Sequence, residues 1–163
     1  MKLIKILIFL LIITVVSCSK VKSEADKITR EYIEKYKPDI TIKSASIYNI
    51  TLSDITLNTL LEIKNNLPFE LPIEKLEINL INSSGDIFAN SKSSEESNII
   101  KIPANDSREI NMKSKAKYID LFQTALDAIR AESLKCNADI IITFNVYGMN
   151  FQFKYNVEIN FIK

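Results

Sequence analysis

From Phe151 to Phe161, apolar and polar residues alternate without a break: Phe151, Phe153, Tyr155, Val157, Ile159 and Phe161 against Gln152, Lys154, Asn156, Glu158 and Asn160. Successive side chains of a strand point to opposite faces, so this period of two specifies an antiparallel strand with one buried and one wet face. Just before it, Ile140, Ile142, Phe144 and Val146 alternate with Ile141, Thr143, Asn145 and Tyr147, and Gly148-Met149-Asn150 reads as the turn between. A lone hairpin is marginal in water, so the apolar face must meet further strands.

The preceding sequence supplies them. Ile40 to Leu52 holds one or two short strand segments, with Ile40, Ile42, Ile47 and Ile50 available for burial. Ile55–Lys64 places Ile55, Leu57, Leu61 and Ile63 on one face, and Ile73–Ile81 does the same with Leu76, Ile78 and Leu80. A turn at Asn82–Asp86 leads to a short edge strand at Ile87–Ala89, a Ser- and Glu-rich loop at Ser91–Asn98 and a short strand at Ile99–Ile102 closed by Pro103. Arg108 to Ala116 alternates again, with Ile110, Met112, Ser114 and Ala116 inward. Then the period changes: Tyr118, Ile119, Phe122, Ala125, Leu126 and Ile129 recur at helical spacing, which predicts a helix from about Tyr118 to Leu134. Seven or eight strands and one helix make an immunoglobulin- or fibronectin-III-like antiparallel β-sandwich. Phe144, Phe153 and Leu61 are expected in its core.

Between two of these strands runs Asn65-Asn-Leu-Pro-Phe-Glu-Leu-Pro72. Proline cannot donate to a ladder, so Pro68 and Pro72 mark a rigid crossing rather than a strand interior. Phe69 and Leu71 alternate around Glu70; the apolar pair is expected to plug the end of the sandwich while Glu70 faces water. Asn65, Pro68, Phe69, Leu71, Pro72 and Ile73, set between two strands, resemble the late-embryogenesis-abundant (LEA) group 2 domain, also called the water-stress and hypersensitive-response domain. That family carries an Asn-Pro-Asn-Pro-Phe-x-Leu-Pro-like run here; Asn66 stands where its first proline often falls. The resemblance extends from about Ser44 to Lys163 and implies a stress-associated binding or stabilising module.

The other end of the chain is of a different kind. Met1-Lys-Leu-Ile-Lys5 is positive, and Ile6 to Val16 is apolar apart from Thr14. Residues 1–17 therefore read as a secretory signal, too short for a confident spanning helix. Val15-Val16-Ser17-Cys18 resembles the lipobox of bacterial lipoproteins, which implies cleavage after Ser17 and acylation of Cys18, for instance with palmitate. The alternative is an uncleaved anchor with an incidental cysteine. Two or three acyl chains hold stably where one is marginal, at about 0.8 kcal/mol per buried methylene. With Ser19 and Lys20 after the cysteine, the pattern resembles that sent to an outer rather than an inner membrane.

Residues 18–39 form a polar tether, either a short helix or partly disordered. Ser23 with Asp26 resembles a capping box, Ala25, Ile28, Tyr32 and Tyr36 fall near helical spacing, and Pro38 ends the run. Its span is about 65 Å extended or about 30 Å as a helix. Residues 40–163 are the domain.

The chain of 163 residues carries a formal net charge of +1, and loss of Lys2 and Lys5 with the signal takes this to −1. Such neutrality offers no footprint for nucleic acid. Histidine is absent, which removes imidazole chemistry and thins the choices for zinc or copper. No catalytic, cofactor or metal set is expected. Cys136 reads as a small buried residue, Glu95-Glu96 as a solvated loop, and Lys113, Lys115 and Lys117 as a solubilising strand face. The sequence thus points to a non-catalytic, lipid-anchored envelope protein with membrane contact through its anchor. The competing expectation is an adaptor that docks a protein partner through an exposed strand edge.

Overall fold

The computed structural model describes residues 23–82, 84–93, 99–117 and 133–162. The segment 1–17 expected to be a signal, Cys18, Glu95, Glu96 and the segment 118–132 expected to be helical lie outside them. The chain divides into two compact units, Met1–Lys37 and Pro38–Lys163.

In the first unit, residues 23–35 form helix α1. Tyr36 N–H donates to the Tyr32 carbonyl at 3.1 Å and closes the last turn, and Pro38 ends the run. Lys27 and Glu31 pair across one turn at 3.9 Å, and the Tyr32 and Tyr36 rings lie 4.7 Å apart. The expected apolar stripe is not the sheltered one. Ile28 is 67% and Tyr32 41% exposed, and the least exposed positions are Asp26, Thr29, Ile33 and Tyr36. A sparse stripe of four residues left the helix phase open by one position.

The second unit is mainly β. Its strands are β1 (Asp39–Ile50), β2 (Asp54–Lys64), β3 (Leu71–Ile81), β4 (Ile87–Lys92), β5 (Ile100–Ile102), β6 (Ser107–Lys117), β7 (Ser133–Val146) and β8 (Met149–Ile162). They follow the order β4-β3-β7-β8-β1-β2-β6, with β5 also on β3. Every pairing is antiparallel except β1 with β8, a parallel contact at Ser46 and Ile162. The result is an immunoglobulin/fibronectin-III-like sandwich, nearly closed on itself, in which β4 and β6 are the two edges that come together. Ser133 and Leu134, expected as the end of a helix, instead begin β7 opposite Ile162 and Phe161.

The core follows the alternation. β2 buries Ile55, Leu57, Thr59, Leu61 and Ile63, and β7 buries Leu134, Cys136, Ala138, Ile140, Ile142, Phe144 and Val146. β3 buries odd residues Leu71 and Ile73, then even residues Leu76, Ile78 and Leu80. A register shift between Ile73 and Lys75 reverses the parity, so one bulge lets both halves face inward. β1 is a single strand, with shifts at Ile42/Ser44 and Ile47/Asn49. None of its residues is fully buried; Ile40, Ile42 and Ile47 are half-buried and Ile50 is 41% exposed.

Phe153 is half-buried rather than a core residue, as are Tyr155 and Val157, whereas Phe151, Ile159 and Phe161 are buried. Among the described residues β8 pairs with β1 only at Ile162, so its middle has no ladder partner on that side. Gln152 and Asn156 are exposed. Gln152→Ala should therefore change the urea midpoint by less than about 0.5 kcal/mol equivalent; a larger loss would mean that the face is misassigned.

The β7–β8 turn is Tyr147-Gly148, one residue earlier than expected, with φ of 53° and 78°. Two positive φ values are what a two-residue hairpin of type I′ requires. Asn145 accepts from Gly148 N–H at 3.1 Å and donates to Asn150 Oδ1 at 2.6 Å, which keeps Met149 and Asn150 in the strand.

Candidate binding site

The proline crossing is organised by Asn65, which is completely buried. Its N–H donates to the Asp106 carbonyl at 2.8 Å, extending the β2–β6 ladder past Lys64. Its Nδ2 lies 2.7, 3.2 and 3.0 Å from the carbonyl oxygens of Phe69, Ile102 and Pro103, and its Oδ1 accepts from Leu67 N–H at 2.9 Å. Asn105, at φ 55°, adds a bond from its N–H to the Leu67 carbonyl at 3.2 Å. One amide thus ties the loop to the β5–β6 connection.

This corrects the expected plug. The Asn65–Leu67 side-chain turn aims Leu67 inward, and the buried pair is Leu67 and Leu71. Phe69 is half-buried at the rim, edge-on to Tyr147 with centroids 6.0 Å apart. Pro68 is exposed and Pro72 half-buried; Glu70 is exposed and pairs with Lys101 at 3.1 Å.

A second feature lies between β4 and β6. An open cleft of about 510 Å³ is lined by Ser91, Lys92, Ser93 and Ile100 on one side and by Arg108 to Lys113 on the other. Ile100, Ile110 and Met112 supply apolar surface; Lys92, Arg108 and Lys113 supply positive charge against the single carboxylate of Glu109. Lys92 reaches Glu77 at 3.2 Å, but Glu77 also holds Lys75 at 3.0 Å. Burial raises the Glu77 carboxyl, and the hydrogen bonds from Lys75 and Lys92 outweigh it and keep the group below its usual range. Arg108 Nη1 donates to the Lys101 carbonyl at 3.3 Å. In the sequence Ile110 and Met112 read only as inward residues and Lys113 as a solubilising one, because an edge is a property of topology, not of local pattern.

The lysine row of β6 is partly engaged. Lys113 lies 4.4 Å from the Tyr48 ring centre and Lys115 bridges to Asp54 at 3.2 Å. Burial raises the Asp54 carboxyl, but bonds from Ser53, Lys115 and Thr51 bring it below its ordinary value. Inside the same strands, Thr59 Oγ1 and Ser114 Oγ are buried with no hydrogen-bond partner among the described residues. Cys136 is buried and free, and burial pushes its thiol up to about 12, so almost no thiolate is present at neutral pH. The Tyr155 hydroxyl donates to the Pro38 carbonyl; burial, then the charge of Asp39, pushes it up to about 12. Among the described residues no three His, Cys, Asp or Glu side chains cluster in a way that would hold a metal ion.

No family model matches the chain. No curated protein matches it either. Solved structures do. A crystal structure of a protein from Archaeoglobus fulgidus aligns with 76% of this chain and 98% of its own, at 13% identity and a TM-score of 0.52. The solution structure of an Arabidopsis thaliana protein aligns with 74% and 79%, at 14% identity and a TM-score of 0.51. At such identities the likeness is one of fold. A protein provisionally described as late embryogenesis abundant aligns with 88% of both chains at 14% identity, but its TM-score of 0.40 is too low to bear weight.

Proposed function

We propose that the chain is a lipid-anchored protein of the bacterial envelope whose β-sandwich is a non-catalytic binding module. The observation that carries the binding reading is the cleft of about 510 Å³ beside β6, with apolar and cationic lining along one strand edge. The anchor rests on the apolar run Ile6–Val16 followed by Ser17-Cys18. The acyl chains on Cys18 are the membrane contact, and the outer membrane is the destination in a cell with two. Nucleic acid is not a partner of this near-neutral chain, and no cofactor is needed. Full-length protein should partition into the detergent phase and incorporate radiolabelled palmitate, whereas Cys18→Ala should lose the label and leave the membrane fraction. A mutant that stays wholly with membranes, its signal uncut, would reject the anchor.

A stress-protective role of the LEA group 2 kind is a second reading. It is favoured by the Asn65–Pro72 crossing, whose residues carry that resemblance and which is built around one buried amide. A protective module at modest excess should preserve an unrelated labile enzyme through drying. A binding module should do so no better than serum albumin.

A further inference from the structure

Among the described residues the second edge of β6 approaches β4 but forms no ladder with it, and its polarity can be assigned residue by residue. It pairs with β2 in unbroken register from Asp54–Lys117 to Lys64–Ser107, and with no other described strand. The bond from Asn65 N–H to the Asp106 carbonyl continues that register and marks its pair as a hydrogen-bonded one. Hydrogen-bonded and non-bonded pairs alternate in an antiparallel ladder. The even residues of β6, Arg108 through Ala116, therefore exchange their bonds with β2. The odd residues Glu109, Asn111 and Lys113 turn N–H and C=O toward the open side.

The cleft follows this edge. Consecutive residues Arg108 to Lys113 all line it, both inward and outward ones. A cavity over one face would touch every second residue, so lining by both parities places it along the backbone. Its volume of about 510 Å³ falls within the range of small-ligand pockets, about 300–1,000 Å³.

We propose that an extended, acidic peptide segment of a partner protein adds as a strand to β6 in this cleft. The inference rests on the binding-module reading and names its ligand. Backbone groups of Glu109, Asn111 and Lys113 hold the segment's main chain, as in other strand additions. Ile100, Ile110 and Met112 receive its apolar side chains. Lys92, Arg108 and Lys113, set against the one lining carboxylate of Glu109, select carboxylates at the alternate positions by exchanging their present partners, Glu77, the Lys101 carbonyl and the Tyr48 ring.

The test is amide hydrogen exchange on the full-length chain in detergent, with a six-residue peptide alternating glutamate and valine. Without peptide, Ile110 and Met112 should exchange slowly and Glu109, Asn111 and Lys113 fast. With peptide, those three should slow by about tenfold or more. A version N-methylated at alternate residues, and one with lysine for glutamate, should each bind at least about tenfold more weakly. Asn111→Pro removes one outward N–H and spares the β2 ladder; it should lose binding while Asn111→Ala keeps it. Unchanged edge amides, equal binding by the N-methylated peptide, or edge protection that rises with protein concentration alone would each overturn the proposal. The last would assign the edge to a second copy of this chain. If Cys18→Ala leaves the membrane yet the edge amides never respond, the anchor stands and the peptide falls; a responsive edge on a chain that never partitions gives the reverse.

Discussion

Phe144→Ala should cost about 3–5 kcal/mol and lower the melting temperature by about 10 °C or more. Phe144 is completely buried in β7 and packs between two aromatic neighbours of β8, Phe151 at 5.5 Å and Phe153 at 5.8 Å between ring centres. Truncation removes the transferred area of a whole ring and leaves a cavity that two flanking rings on a paired strand cannot fill. The same change at Phe153 should cost clearly less, because that side chain is half-buried and already partly wet. Urea unfolding of both variants measures the difference. Equal costs would mean that β8 is as well covered at its centre as at its ends.

That contrast shows what alternation can and cannot say. The period of two in 140–161 reported which residues share a face, and Phe144, Phe151, Ile159 and Phe161 are indeed inside. It carried no information on how much of the face is covered. Coverage of Phe153 depends on how far β8 pairs with β1, and that pairing, Ser46 with Ile162, joins residues more than a hundred positions apart. The bulge in β3 was not legible in the sequence, where Leu76, Ile78 and Leu80 alone mark the inward face; the shift between Ile73 and Lys75 comes from the pairing with β7. Nor was the β6 edge. Its alternation resembles that of any half-buried strand, and only the order β4-β3-β7-β8-β1-β2-β6 leaves it last. Hence Lys113 reads locally as a solubilising side chain, and Asn111 and Glu109 only as members of the same polar face. The outward amides follow from a single hydrogen bond at Asn65, which no pattern of side-chain polarity encodes.

The same asparagine gives the second large effect. Asn65→Ala should destabilise the domain by about 3 kcal/mol, because it strips a partner from the Phe69 and Ile102 carbonyls and from Leu67 N–H, at about 1–3 kcal/mol for each group left unsatisfied, while the Pro103 carbonyl keeps Asp106 N–H at 3.3 Å. Asn65→Asp keeps the volume and the acceptor for Leu67 but puts a second oxygen where the amide faces three carbonyls. An ionised carboxylate there is repelled, so the variant should be at least as unstable as the alanine at neutral pH. Its carboxyl would then ionise at a higher pH folded than unfolded, so its stability should improve as the pH falls and the group takes up a proton. The alanine variant has no such dependence. Phe69→Ala should cost only about 1 kcal/mol, since its ring is half-buried against an exposed tyrosine. Leu67→Ala, fully buried, should cost about 2–5 kcal/mol. Thermal melts of the four variants at pH 7, with Asn65→Asp repeated at pH 4 beside the unmodified protein, give the ranking. If Phe69→Ala proves the most damaging, the aromatic ring rather than the buried amide holds the crossing together.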